Sequence, residues 1–144
     1  MRARLFAPLF FSALALSAAP SAFAQSAGQQ CRDNFKIQGS FFTPRSFRSH
    51  AMIKAAPDRV FQRAYTNVVR QGFAIDRHDK EARVLVALNE VAGSHRQIPL
   101  NVVVDEDGEG GSRLSLVFSL DAGMAVGKED VIGGLCEIME AAEG

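Results

Sequence analysis

The chain has 144 residues, 47% of them hydrophobic, and balances sixteen basic against sixteen acidic side chains. That length fits one domain behind a leader, with a core that does not depend on a dense set of disulfides. A formal net charge of zero excludes a general electrostatic pull toward nucleic acid.

Residues 1–24 read as a secretory signal peptide. Arg2 and Arg4 supply a positive start, residues 5–18 an apolar core, and Ala22-Phe23-Ala24 a small-x-small cleavage site. A retained anchor is the alternative, but an apolar core of about 14 residues falls short of the roughly 20 that span a bilayer. Gln25, not Cys, follows the cleavage site, which argues against a lipid anchor. No later stretch is apolar and long enough to span. The mature chain is expected to start at Gln25 and to be periplasmic or secreted. Its charge is uneven: residues 25–104 hold twelve Lys/Arg and six Asp/Glu, residues 105–144 two and ten. Opposite charges on neighbouring elements explain this; a bipolar surface that steers a charged partner is the sharper alternative.

Residues 25–46 are expected as an N-terminal arm, with a mobile start at 25–30 and a short strand-like alternation at Phe35, Ile37, Gly39 and Phe41. Residues 47–144 are expected to form a single α+β domain. A first strand over 47–54 would put Phe47, Ser49, Ala51 and Ile53 on one side. Pro57 at the first helical position and Asp58 in the first turn open a helix. Val60, Phe61, Ala64, Tyr65, Val68 and Val69 form its apolar stripe, and Gly72 caps its end. Phe73 and Ile75 begin the next strand, and 79–81 is a turn. Val84, Val86 and Leu88 alternate with Arg83, Leu85 and Ala87 in a β-branched-rich run. Ile98, Leu100, Val102 and Val104 follow, with Pro99 near the strand's start. The glycine-rich segment 105–112 is a hairpin turn, and Leu114, Leu116, Phe118 and Leu120 keep a clean period of two. A final helix over about 128–142 carries Val131, Ile132, Leu135, Ile138, Met139 and Ala142 on one face. Gly133 and Gly134 inside it suggest close approach to another backbone, or a kinked or late start. One antiparallel sheet of about four to five strands with two helices on one face is the simplest solution, in the order β-α-β-β-β-β-α.

Cys31 and Cys136, an even count in an oxidising compartment, suggest one bridge between the arm and the last helix. No C-x-x-C motif supports redox chemistry. No G-x-S-x-G, H-E-x-x-H or Walker motif is present, and no catalytic residue, metal or cofactor is assigned. The acidic turn at Asp105, Glu106, Asp107 and Glu109 lacks the ligand spacing of a calcium loop. Asp76 and His78, two apart, would project from one side of a strand, as acid–base or metal chemistry needs; a surface pair is the plainer reading. Arg45, Arg48, Lys54, Arg59 and Arg63, with His50 among them and Phe41, Phe42 and Phe47 interleaved, are a candidate basic binding surface for an anionic polymer or lipid headgroup.

The stretches Ala56-Pro57-Asp58-Arg59-Val60-Phe61, Val68-Val69-Arg70-Gln71-Gly72-Phe73-Ala74-Ile75-Asp76 and Glu81-Ala82-Arg83-Val84 share a cadence of helix, Gly-Phe stop and returning strands. In this the chain resembles the small helix-grip α+β modules of bacterial envelope proteins, such as the paired modules of a lipoprotein component of the outer-membrane β-barrel assembly machine. It departs from that lipoprotein in having one module, no lipobox and two cysteines. The resemblance implies a non-enzymatic envelope module and transfers no functional residue.

Three functions are expected, in this order. The first is a non-enzymatic binding protein whose partner is another envelope protein or an anionic envelope component, with no nucleic acid. The second is a carrier for a small apolar ligand, lined by Phe73, Phe118, Met124 and Met139. The third is a hydrolase or metal enzyme using Asp76 and His78.

Overall fold

A computed structural model describes residues 24–144; the leader expected over 1–24 falls, except for Ala24, outside the described residues. The first strand-forming runs are β1 (Lys36–Gln38) and β2 (Arg45–Ile53), and four more strands follow: β3 (Ala74–Asp79), β4 (Val84–Glu90), β5 (Gln97–Glu106) and β6 (Ser112–Leu120). They make one antiparallel sheet in the order β1-β2-β6-β5-β4-β3. The helices are α1 (Ala27–Asp33), α2 (Pro57–Arg70) and α3 (Lys128–Glu143). The class is the expected α+β with a single antiparallel sheet. The sheet has six strands and the fold three helices, because the segment 25–46 contributes both α1 and β1.

Strand β1 falls within the expected strand-like alternation, but the start expected to be mobile at 25–30 leads into helix α1. Ala27 and Cys31 belong to the buried core. Ser26 caps α1 by accepting from the Gln29 amide at 3.2 Å, and the Ala27 amide donates to Glu143 at 2.8 Å. Seven residues are too few for a helix to hold by itself in water. Packing on α3 and the Cys31–Cys136 disulfide, closed across a sequence separation of 105, supply what local propensity lacks.

Strand alternation decides which face is covered. Phe47, Ser49, Ala51 and Ile53 of β2, Leu85 and Ala87 of β4, Ile98 to Val104 at every second position of β5, and Leu114 to Leu120 likewise of β6 are buried under the helices. The register puts Phe47 opposite Phe118, and Leu100 opposite Phe118 on its other side. Ser49 keeps its place in this apolar row because its hydroxyl donates to the Cys31 carbonyl at 2.6 Å, which satisfies a group that would otherwise be costly to bury.

Helix α2 carries the chain from β2, beside one edge of the sheet, to β3 at the other. Its buried side is Val60, Phe61, Ala64 and Val68, while Val69 stays exposed. Gly72, at φ +89°, ends it, with the Phe73 amide returning to the Val68 carbonyl at 3.3 Å. Helix α3 packs on α1, α2 and β2. It is continuous from Lys128, so it is not a late-starting helix, and no backbone approaches Gly133 or Gly134: a Cβ at Gly133 would meet nothing, and one at Gly134 only the Gln71 side chain at 3.6 Å. No helix among the described residues is long and apolar enough to cross a membrane.

Candidate functional site

Helix α3 is not equally buried along its length. Its second half buries Leu135, Cys136, Ile138, Met139 and Ala142. In its first half Val131, Ile132, Gly133 and Gly134 are only half-buried. Between that first half and the sheet lies a pocket of about 450 Å³. Four parts of the chain build it: the end of α2 and the start of β3 (Gln71, Phe73), the β4–β5 hairpin (Asn89, Glu90, Val91, Ile98), Phe118 of β6, and the segment from Val126 to Ile138.

The missing side chain at Gly134 keeps part of this wall open. Gln71 spans the gap beside it and donates to the Gly134 carbonyl at 3.2 Å and to Asn67 at 3.1 Å, so its amide is held by both helices. The walls are otherwise Phe73, Val91, Ile98, Phe118, Val126, Val131, Leu135 and Ile138. Glu90 and Asp130 are the only charged groups on the wall, and both are carboxylates. Among the described residues neither has an ion-pair partner. The volume and the apolar lining with a few polar groups match a small-molecule site.

Of the residues expected to line a ligand cavity, Phe73 and Phe118 are on this wall. Met139 lies fully buried in the core beneath the second half of α3. Met124 packs half-buried at the core's margin, its carbonyl held by Arg45. Gln71, Gly134 and Val131 were not expected there. The two helical glycines were the available signal, since they lower helix propensity without a packing reason.

The five basic residues of the candidate surface do not share a face. Arg45 points to the helix side of β2, with its guanidinium 5.7 Å from the centre of the Phe47 ring. Arg48 projects from the opposite, uncovered face. Lys54 lies just past the strand. Arg59 and Arg63 sit on α2, where Arg63 donates to the Glu143 carbonyl at 2.8 Å. Alternation in β2 and the turn before α2 split the run. Strand pairing instead brings Lys36, Arg48, His50 and Arg113 around a shallow hollow of about 390 Å³ on the uncovered face. Burial first, then Arg113 and Lys36, hold the His50 imidazole below its usual 6.5.

Asp76 and His78 are engaged separately. A bulge lies between Ile75 and Arg77; Asp76 pairs with Arg77 at 3.3 Å, and His78 packs edge-on to Tyr65 with ring centres 5.6 Å apart. In the acidic turn, Asp107 accepts from the amides of Glu109 and Gly111 at 2.7 and 2.9 Å, a turn-closing role for the carboxylate. No group of three or more metal-ligating side chains occurs among the described residues. The disulfide marks an oxidising, non-cytoplasmic location.

No protein-family model and no curated protein matches the chain. Solved structures share its fold. The conserved protein of unknown function EF2215 from Enterococcus faecalis is similar with a TM-score of 0.53 at 10% identity, over 81% of this chain and 79% of that one. Ara h 8.0201 is similar with a TM-score of 0.55 at 11% identity, over 69% of this chain and 95% of that one. At such identities the likeness is one of fold alone.

Proposed function

We infer that this is a non-enzymatic binding protein of the bacterial cell envelope, exported to the periplasm or beyond, that holds a small, mostly apolar molecule between α3 and the sheet. The observation that carries the reading is the pocket of about 450 Å³ under the first half of α3, with Gly134 on its wall. The export address rests on the leader-like residues 1–24 and on the disulfide. The non-catalytic reading is supported by the separate engagements of Asp76 and His78.

The wall also selects. An anionic headgroup would meet Glu90 and Asp130 with no cation on the wall to offset them. A neutral or cation-bearing polar end, with an apolar body against Phe73, Ile98 and Phe118, is the ligand class that fits. Native mass spectrometry of the protein isolated from its own host tests the reading. A stoichiometric small-molecule mass is expected, and Gly134→Leu, which places a side chain in the cavity, removes it while the protein stays folded. No bound mass, together with no uptake of an apolar fluorescent probe, would overturn it.

Binding of another envelope protein is the second reading, favoured by the charge balances of +6 over residues 25–104 and −8 over residues 105–144. A pull-down whose captured protein is lost at high salt would support it.

A further inference from the structure

We propose that the β1–β2 hairpin end, with Phe41 and Phe42 at its tip, docks the protein on an anionic bilayer surface beside the ligand pocket. Docking there extends the pocket reading by giving an apolar ligand a route from lipid to protein.

Phe42 is 86% exposed and Phe41 47% exposed. Their rings meet edge to face with centres 5.5 Å apart. The other five phenylalanines among the described residues are buried or half-buried, so these two stand apart. Ile37, on the same ribbon, is exposed as well.

The tip is braced. The Ser40 amide donates to the Thr43 hydroxyl at 2.9 Å, and the Thr43 amide to the Ser40 carbonyl at 3.2 Å. Gly39 turns at φ +88°, where a Cβ would run into the Pro44 carbonyl. The Phe41 carbonyl accepts from the Gly123 amide at 2.8 Å, and Arg45 donates to the Met124 carbonyl. The fold thus holds two aromatic rings out in water. Its braces run to the loop 121–127, whose last residues, Val126 and Gly127, are part of the pocket wall.

Shape and charge favour a membrane as the occupant. Two adjacent rings on a hairpin end form a convex point, suited to insertion among headgroups, where aromatic side chains are at home. Next to the tip, Lys36 and Arg48 are cross-strand partners and Arg45 begins β2, with no carboxylate side chain in the stretch 34–53. Such a local excess of cations is attracted to anionic lipid. The opposing acids are Asp121, which shares a surface hollow with Arg45 and Gly39, and Glu90 and Asp130 on the wall of the neighbouring pocket.

Co-sedimentation of the exported chain with vesicles tests the proposal. Vesicles of phosphatidylethanolamine with phosphatidylglycerol are compared with vesicles of phosphatidylcholine alone. Binding to the anionic vesicles is expected, weakened by salt. The double variant Phe41→Ser/Phe42→Ser should lower partition about ten- to hundred-fold, with an unchanged melting profile because both rings lie outside the core. Lys36→Gln/Arg48→Gln should lower partition several-fold on anionic vesicles only. Equal partition of the phenylalanine variant and the parent would overturn the proposal. So would absence of vesicle binding, including the case in which the tip instead captures an envelope protein. Vesicle binding without any bound ligand would sink the pocket reading and leave the docking tip standing; a bound ligand without vesicle binding would do the reverse.

Discussion

The two halves of α3 obey the same helical geometry and meet different neighbours. From Leu135 onward the helix is clamped: Cys136 is bonded to Cys31, Gly28 of α1 comes close to the Glu140 side chain, and the Ala27 amide reaches Glu143. Before Leu135 the helix is only half-buried beside the pocket, and Gln71 ties it to the end of α2. A 16-residue helix is stiff enough that fixing one end sets the other. The closed half can therefore hold the open half in place without filling the space beneath it.

Removing the clamp is the strongest way to break this contrast. Cys31→Ser/Cys136→Ser is expected to lower unfolding free energy by about 3 kcal/mol, measured by urea denaturation. Hydrogen exchange should show α1 losing its protection first, since it has little helical stability of its own. If α1 stayed protected in that variant, packing alone would account for the closed half.

Truncation at matched positions sharpens the same comparison. Met139→Ala, under the closed half, should cost about 3 kcal/mol. Val131→Ala, on the pocket wall, should cost about 1 kcal/mol, because its side chain is only half-buried. Equal losses in denaturation experiments would mean that the two halves are packed alike and that the pocket closes in solution.

Gly133→Ala reverses the sign. No atom lies within 4 Å of the Cβ it would add, so the gain in helix propensity should appear nearly whole, as about 1 kcal/mol of added stability. A loss on this substitution would show that the open half needs backbone freedom at that point.

The smallest effect concerns the uncovered face of the sheet. His50 has its pKa below 6.5 in the fold, so the unfolded chain binds more protons over the range from 6.5 down to the folded value. Stability should therefore fall as pH drops through that range. His50→Gln should remove this part of the slope in denaturation curves recorded between about pH 7.5 and about pH 5. An unchanged slope would shift attention to other groups.

Much of the fold could be read from neighbouring residues. The row Leu114 to Leu120 announced its buried face by period alone, while the row Phe47, Ser49, Ala51, Ile53 showed a less regular alternation. Pro57 and Gly72 bracketed α2 to within a residue or two. Helix α1 was hidden because Gln25 to Asp33 has few apolar side chains, and its two anchors, Glu143 and Cys136, lie more than a hundred residues away. The candidate basic surface was misleading because closeness in sequence is not closeness across a pleat. Arg45 and Arg48 fall on opposite faces of β2, while Arg113 reaches Arg48's side only through the pairing of β2 with β6.

Periodicity, the two cysteines and the turn residues determined the class, the helix-facing rows and the disulfide, because each depends on local geometry or on a count. In β4 the alternation was legible but its direction was not. Leu85 and Ala87 face the helices, and Val84, Val86 and Leu88 the uncovered side, only once Leu85 is set opposite Val102. The pocket belongs wholly to the tertiary structure. Its wall is assembled from separate parts of the chain, and the helix that covers it is placed by contacts far away in sequence: the bond at Cys136, the packing of α1, and the hydrogen bond from Gln71 at the end of α2.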